Sequence, residues 1–205
     1  KVLTDNLGKW GEVLWLFANG LDTAPVRKTD ERTAVKSIGN STTCPRDLVN
    51  NEDVRLVFTV LAESVAARLR DYGLKCTGIQ ISLRDNQLYS ATRQGLLTKP
   101  SYLSADIINK AMELFLANYN WFHPLRSIGI RAINLVTEKD HIQLALFDDI
   151  DEKTREQESL SHTIDAIHSR FGHGSLMRAS CLLDSRLTGF NPKEDHVIHP
   201  VGYFK

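Results

Sequence analysis

The sequence is short of cysteine, of charge of one sign and of long apolar runs. Its three cysteines, Cys44, Cys76 and Cys181, lie far apart in no paired spacing, so it offers no disulfide framework and suits a reducing cytoplasm, where we expect the protein. Lys plus Arg total 25 and Asp plus Glu total 25, so bulk charge does not attract the chain to nucleic acid. No apolar run approaches the roughly 20 residues that a membrane span needs, so we expect no membrane partner.

The composition allows a packed core in one large or two small domains, because 42% of the 205 residues are hydrophobic. Residues 7–19 repeat apolar side chains at helical spacing, and Gly20 is a natural helix end. The polar residues 23–33 show no periodicity and predict a linker. We therefore expect a helix, a linker and then a folded domain, in a piece of a longer protein.

Strand and helix patterns alternate through the predicted domain. The predicted elements run strand, helix, strand, strand, helix, strand over residues 35–43, 51–73, 77–84, 88–97, 104–118 and 125–136. Asn51 is the predicted cap of the first helix and Gly73 its end, and the alternation of the last strand slips near Arg131, which indicates a bulge. The fold class is therefore α+β, a four-stranded β-sheet with two helices on one face in the order βαββαβ.

The apolar positions of this pattern predict which side chains are buried. Ile79, Ile81 and Leu83 share one face of their strand, while Gln80, Ser82 and Arg84 share the other. The helices each carry one apolar stripe, formed by Val54, Val57, Phe58, Leu61 and Val65 in the first and by Ile107, Ile108, Ala111, Met112 and Phe115 in the second. One sheet face is therefore expected to stay open to solvent.

That open sheet face is the predicted functional surface, because cationic residues recur along its strands. They are Lys36, Lys75, Arg84, Arg93, Lys99, Arg126 and Arg131. Cationic side chains and strand N–H groups can hold phosphates without reading bases. The alternative is a solvated sheet face, since exposed Lys and Arg side chains commonly have no specific partner.

Motifs of catalysis and metal binding are absent from the sequence. It contains no phosphate-binding loop, nucleophile elbow, HExxH or dinucleotide fingerprint. Asp148 and Asp149 lie in an acidic run that is typical of a solvated loop. Cys181 with His196 and His199 fits no standard zinc template. We therefore predict no catalytic residue and no metal site in this chain.

The stretch "HIQLALFDD", residues 141–149, has two interpretations. It can be a fifth strand paired to residues 128–136, ended by its two aspartates. It can instead be a peptide carried outside the fold for the groove of another protein. Periodicity does not separate the two.

Five stretches of the sequence resemble the bacterial Y-family translesion DNA polymerases, and among them the DNA polymerase IV group and its UvrX-like relatives. They are "LGKWGEVLWLFANGLD", "KSIGNSTTCPRDL", "LAESVAARLRDYGLK", "TRQGLL" and "RSIGIRAINL", in order from Gly8 to about Phe147. The resemblance implies a parent nucleotidyltransferase that copies damaged DNA by two-metal chemistry with Mg²⁺. The family's palm carboxylates would lie before Lys1, so this chain alone should not synthesise DNA.

The resemblance also implies an organisation and two binding sites. Residues 1–22 are similar to the last thumb helix and 34–137 to the little finger, whose sheet holds duplex primer–template DNA by its phosphates. The DNA-binding positions that it implies, together with those of the basic face, are Lys36, Ser37, Gly39, Lys75, Arg84, Thr92, Arg93, Arg126 and Arg131. Many relatives also carry a Gln-Leu-x-Leu-Phe peptide for the β sliding clamp. In the matching region, residues 138–149, the clamp-binding residues would be Gln143, Leu144, Leu146 and Phe147. Residues 150–205 form a tail with one predicted helix, 159–171, and no assigned role.

Overall fold

The computed structural model describes residues 2–25, 35–137 and 152–192. The chain divides into two compact units, Lys1–Ala34 and Val35–Lys205. No helix in the described ranges has the length and apolar character to cross a bilayer.

The first unit is a pair of helices, α1 over Val2–Leu7 and α2 over Lys9–Ala18. Gly8 separates them because its φ of 56° lies in the left-handed region, where glycine carries no steric penalty. A Cβ on Gly11 would come within 2.2 Å of the carbonyl oxygen of Leu3, so a glycine is needed where the two helices meet. The helix predicted over 7–19 is thus confirmed as α2, with its start moved past Gly8.

The second unit contains the predicted sheet and helices. Its elements are β1 (Ile38–Leu48), α3 (Asn51–Asp71), β2 (Leu74–Asp85), β3 (Ser90–Ser101), α4 (Ser104–Asn118) and β4 (Leu125–Thr137). The strands form one antiparallel sheet in the order β1-β4-β2-β3, and α3 and α4 pack together against it. The predicted α+β class and the βαββαβ order are confirmed.

The core lies between the two helices and the sheet. Ile79 and Ile81 are fully buried and Leu83 nearly so, as their alternation predicts, and the ten predicted stripe residues of α3 and α4 are buried as well. The Phe58 and Phe115 rings meet edge to face with centroids 6.5 Å apart, which joins the two helices at the centre of the core.

Two local predictions were wrong by small shifts. Asn50, and not Asn51, caps α3, because the Asn50 Oδ1 accepts the Asp53 N–H at 2.8 Å. The irregularity of β4 does not lie at Arg131, which pairs in regular register with Gly39 and Gln80. It lies near the start of β4, where the register with β2 shifts beside Asp85.

The tail adds a third layer, part of which packs on α3. It comprises α5 (Glu152–Phe171), two short 3₁₀ turns (His173–Ser175 and Ala179–Leu183) and α6 (Ser185–Thr188). Leu187 is fully buried in the common core, and α6 contacts α3 and β1. Leu56 and Val60 of α3 are also buried although they lie opposite the sheet-facing stripe, on the side where Glu63 ion-pairs with Arg178 of the tail. Helix α3 is therefore apolar on two faces, which is typical of a helix packed on both sides.

A three-residue ionic node fastens the end of the tail to β1 and α3. The Arg46 guanidinium donates to the Asp53 carboxylate at 2.7 and 2.8 Å and to the Asp184 Oδ2 at 2.8 Å. These bonds from Arg46 hold the pKa of Asp53 and the pKa of Asp184 below their usual range. Both carboxylates therefore favour their charged form in the folded chain.

Replacing Arg46 by glutamine is expected to lower stability at neutral pH and to flatten its dependence on acid. Because the folded pKa values of Asp53 and Asp184 are depressed, their contribution is present above the unfolded pKa of about 4 and is lost as pH falls through the folded values. Urea unfolding from pH 7 to pH 3 measures this. If the free energy of unfolding changes with pH by the same amount in wild type and in Arg46→Gln, the ion pairs of Arg46 do not stabilise the fold as described.

Candidate nucleic-acid interface

The open face of the sheet presents three aligned rows of residues, each crossing the strands in the order β1, β4, β2, β3. The rows are Gly39–Arg131–Gln80–Gln94, Ser41–Gly129–Ser82–Thr92 and Thr43–Ser127–Arg84–Ser90. Every one of these residues is polar or glycine, and none is acidic. The face therefore presents hydroxyl, amide and guanidinium groups without an opposing carboxylate, which suits an anionic surface.

Gly129 leaves a depression at the centre of this face, because it has no side chain. A Cβ at this position would come within 2.6 Å of the Ser82 Oγ and 2.7 Å of the Ser41 Cβ, so the two serines close over the strand from both sides. The groove that these rows line has a volume of about 550 Å³. A phosphate backbone can therefore approach the serine hydroxyl groups here without meeting a bulky side chain.

Arg84 and Arg131 place positive charge at the two ends of the face. Both side chains are exposed, and neither makes an ion pair with another residue in the part of the chain that the structure describes. Arg131 lies in the first row on β4 and Arg84 in the third row on the neighbouring strand β2, so strand geometry sets their Cα atoms about 14 Å apart. Two charges at this spacing can contact different phosphates of one duplex.

Comparison with known proteins identifies the family. Residues 35–146 match the impB/mucB/samB family C-terminal domain. The chain belongs to this family. It is 45% identical over 185 residues to a DNA polymerase IV of Acetivibrio thermocellus, covering 90% of this chain and 46% of that protein. It is 33% identical to DNA polymerase IV 2 of Bacillus subtilis, covering 85% of this chain and 42% of that protein. The resemblance to the Y-family polymerases is thus confirmed for the C-terminal region, and the chain spans about half the length of these relatives.

The match to impB/mucB/samB relatives includes part of the tail. The alignment with the Acetivibrio thermocellus protein covers 185 residues of this chain, more than residues 1–151 contain. It therefore extends into residues 152–205, so the sequence similarity to that polymerase includes part of the tail.

The residues predicted to contact DNA lie on both faces of the sheet. Gly39, Thr92, Arg84 and Arg131 lie in the three rows. Arg93 pairs with Ile81 and so lies on the helix side, where its Nε donates to Asn118. Its expected place on the open face was wrong, because neighbouring residues of a strand point to opposite faces, and Thr92 holds the open-face position.

The other predicted residues, four cations and Ser37, lie outside the rows. Lys36 and Ser37 precede β1. Arg126 lies at the start of β4, 3.5 Å from the Asp47 carboxylate. Lys75 pairs with Glu158 of α5 at 3.0 Å, and Lys99 donates to Thr154 of α5 at 3.2 Å. The tail therefore contacts Lys75 and Lys99, two cationic residues that we expected on the open face of the sheet.

Several residues of the face were missed as site residues. Ser41, Ser127 and Gly129 were not singled out, although small or polar residues alternate with apolar ones from 127 to 131. That alternation was the available signal. What it could not show is that Ser41 and Ser82 both flank Gly129, because this depends on the pairing of three strands.

The remaining site predictions cannot be placed. The clamp-binding residues 143–147, Asp148, Asp149, His196 and His199 lie outside the described residues. Cys181 is buried, and within the described ranges no cluster of three His, Cys, Asp or Glu side chains is arranged to hold a metal ion.

Proposed function

We propose that this chain is the DNA-gripping and clamp-targeting portion of an error-prone translesion DNA polymerase that copies damaged DNA. The observation that carries the proposal is the acid-free open face, with hydroxyls around Gly129 and an arginine at either end. Such a face contacts the backbone of a primer–template duplex through phosphates, so affinity depends on salt and hardly on sequence.

The parent protein performs the polymerase reaction in this proposal. The relatives named DNA polymerase IV support a polymerase parent, and two-metal phosphoryl transfer with Mg²⁺ is the chemistry expected in its palm. We assign no catalytic residue and no metal site to this chain, and we expect it not to extend a primer by itself. Its contribution is to hold the duplex while other parts of the enzyme react.

A stand-alone nucleic-acid module or protein-interaction module is less well supported. A sheet that reads single-stranded RNA stacks bases on aromatic side chains of its strands. The three rows of the open face contain no aromatic residue. The family match also favours a polymerase domain over an independent module.

The clamp-targeting part of the proposal rests on the sequence Gln143-Leu144-Ala145-Leu146-Phe147. Two large apolar side chains can fill a pocket of the β sliding clamp while the glutamine amide bonds at its rim. The position directly after the little-finger domain supports this interpretation over the fifth strand.

Replacing Arg84 and Arg131 together by alanine is expected to weaken binding to duplex DNA about 10- to 100-fold at low salt. Each arginine that contacts a phosphate contributes about one unit to the slope of log affinity against log salt, so the slope should fall by about two. Fluorescence anisotropy on two duplexes of unrelated sequence, titrated with KCl, measures both quantities.

Two single variants sharpen that experiment. Arg55→Ala removes the same charge from an exposed position of α3 and should change affinity by less than about twofold. Arg93→Ala distinguishes two expectations, because the resemblance places this residue at the DNA and the structure places it on the helix side of the sheet. A loss as large as that of Arg131→Ala would show that this edge-strand arginine reaches DNA, as the resemblance of its segment to the Y-family polymerases implies. A loss confined to one DNA sequence would contradict phosphate contact altogether.

A further inference from the structure

Helix α5 contacts the sheet domain through one polar stripe. Thr154, Glu158, His162 and Asp165 recur every three or four residues, so they share a face of the helix. The contacts join Thr154 to Lys99, Glu158 to Lys75, His162 to Tyr102 and Asp165 to Arg70. The stripe thus lies along a line of cationic side chains.

Arg70, Lys75 and Lys99, with the ring of Tyr102, form what we name the basic strip. The Lys75 Nζ lies 4.8 Å from the Tyr102 ring centroid, and the Arg70 guanidinium lies 5.8 Å from it. Asp165 accepts from the Arg70 Nη2 at 2.8 Å, and Glu158 accepts from the Lys75 Nζ at 3.0 Å. The strip therefore holds two carboxylates of α5 against clustered positive charge.

Apolar packing contributes little to this contact. No residue of α5 is fully buried, and Leu160 and Phe171, which belong to its apolar stripe, are 59% and 64% exposed. The Arg70–Asp165 and Lys75–Glu158 ion pairs are partly buried, with side chains 8–29% exposed, so the contact depends on charge and salt screens it only in part. Gly172, with φ of 90°, ends α5, and Cys181 and Leu187 beyond it are buried, so the rest of the tail has an attachment of its own that does not depend on α5.

We propose that the basic strip is a second phosphate-binding surface, which α5 covers with its own carboxylates and which DNA occupies when α5 leaves. The span from Thr154 to Asp165 is about 16 Å of helix, comparable to about five nucleotides of one strand. The proposal rests on the proposed function in taking duplex DNA as the ligand. It does not depend on Arg84 or Arg131, because the basic strip belongs to a different part of the surface.

The test compares two double variants with the same change in net charge. Glu158→Gln/Asp165→Asn removes the carboxylates that face the strip, whereas Glu152→Gln/Glu156→Gln removes two exposed ones from the same helix. The first is expected to raise duplex affinity about tenfold at low salt and to steepen the salt slope by about two, and the control should gain less than about twofold. Hydrogen exchange of the α5 amides reports its release in the first variant.

A second pair of substitutions identifies the residues responsible for the gain in duplex affinity. Adding Lys75→Gln and Lys99→Gln to the first variant should abolish the gain, because these lysines would then be the phosphate contacts. Equal gains in the two double variants would show a long-range charge effect and overturn the proposal. Release of α5 without a gain in duplex affinity would also overturn it. In that case the open face remains a DNA site if Arg84→Ala/Arg131→Ala still weakens binding. Absence of DNA binding in every variant and in wild type would contradict both.

Discussion

Replacing Leu146 and Phe147 together by alanine is expected to lower the affinity for a β sliding clamp at least about 100-fold. Truncating a side chain that fills a central apolar pocket costs about 2 kcal/mol or more, and each 1.4 kcal/mol is about tenfold in affinity. A short peptide has few other contacts to compensate for the loss. Calorimetric titration of the clamp with the whole chain measures the effect.

The chain offers a matched control for that experiment. Leu160→Ala/Phe171→Ala deletes the same two side-chain types from exposed positions of α5 and should leave clamp affinity within about twofold. Gln143→Ala should cost less than the double variant, because it removes a hydrogen bond at the rim and not an anchor. If Leu146→Ala/Phe147→Ala lowers the free energy of unfolding and not clamp affinity, residues 143–147 belong to a strand of the fold.

Leu187→Ala is expected to lower the free energy of unfolding by about 2–4 kcal/mol. The side chain is fully buried in the common core although it lies in the tail, so its removal leaves a cavity beneath α6. Leu183→Ala is the control, since this leucine is 80% exposed and should cost less than about 0.5 kcal/mol. Urea denaturation of the two variants measures the difference.

The result decides whether the tail is part of the folded domain. A loss at Leu187 with an unchanged denaturant slope shows that the third layer unfolds together with the sheet. Equally small losses at Leu187 and Leu183 would show that the tail contributes nothing to the folded domain.

Local patterns were sufficient for the elements that meet the core on one face. Helix α4 occupies the predicted span, Ser104–Asn118, because its apolar stripe and its end are encoded within the helix itself. The βαββαβ order follows in the same way, since each strand and helix carries one apolar face. Asn50 and Asn51 are equivalent caps by residue type, so only the backbone geometry distinguishes them.

The third layer could not be predicted by the same means. Leu56 and Val60 were the available signal, because they give α3 a second apolar face that something must cover. Helix α5 docks elsewhere on the domain through Glu158 and Asp165, while its large apolar residues Leu160 and Phe171 are exposed, so apolar periodicity gives no sign of its contact. Long-range ion pairs such as Asp165 with Arg70 leave no periodic trace in a sequence.

The open face of the sheet was predicted only in part, because a sequence shows which residues are charged but not which side of the sheet each one faces. Counting cations placed Arg84 and Arg131 correctly, but it also included Lys75, which the tail covers, and Arg93, which lies on the other side of the sheet. The position of Gly129 between two serines depends on strand register and thus on the whole sheet.

The measurement that tests the central claim most directly is chemical-shift mapping of the ¹⁵N-labelled chain with a primer–template duplex. The account predicts that the largest amide shifts fall on the middle row, at Ser41, Gly129, Ser82 and Thr92, and that a duplex of unrelated sequence gives the same pattern. Shifts confined to the helix layer, α3 and α4, or a pattern that changes with DNA sequence, would contradict it.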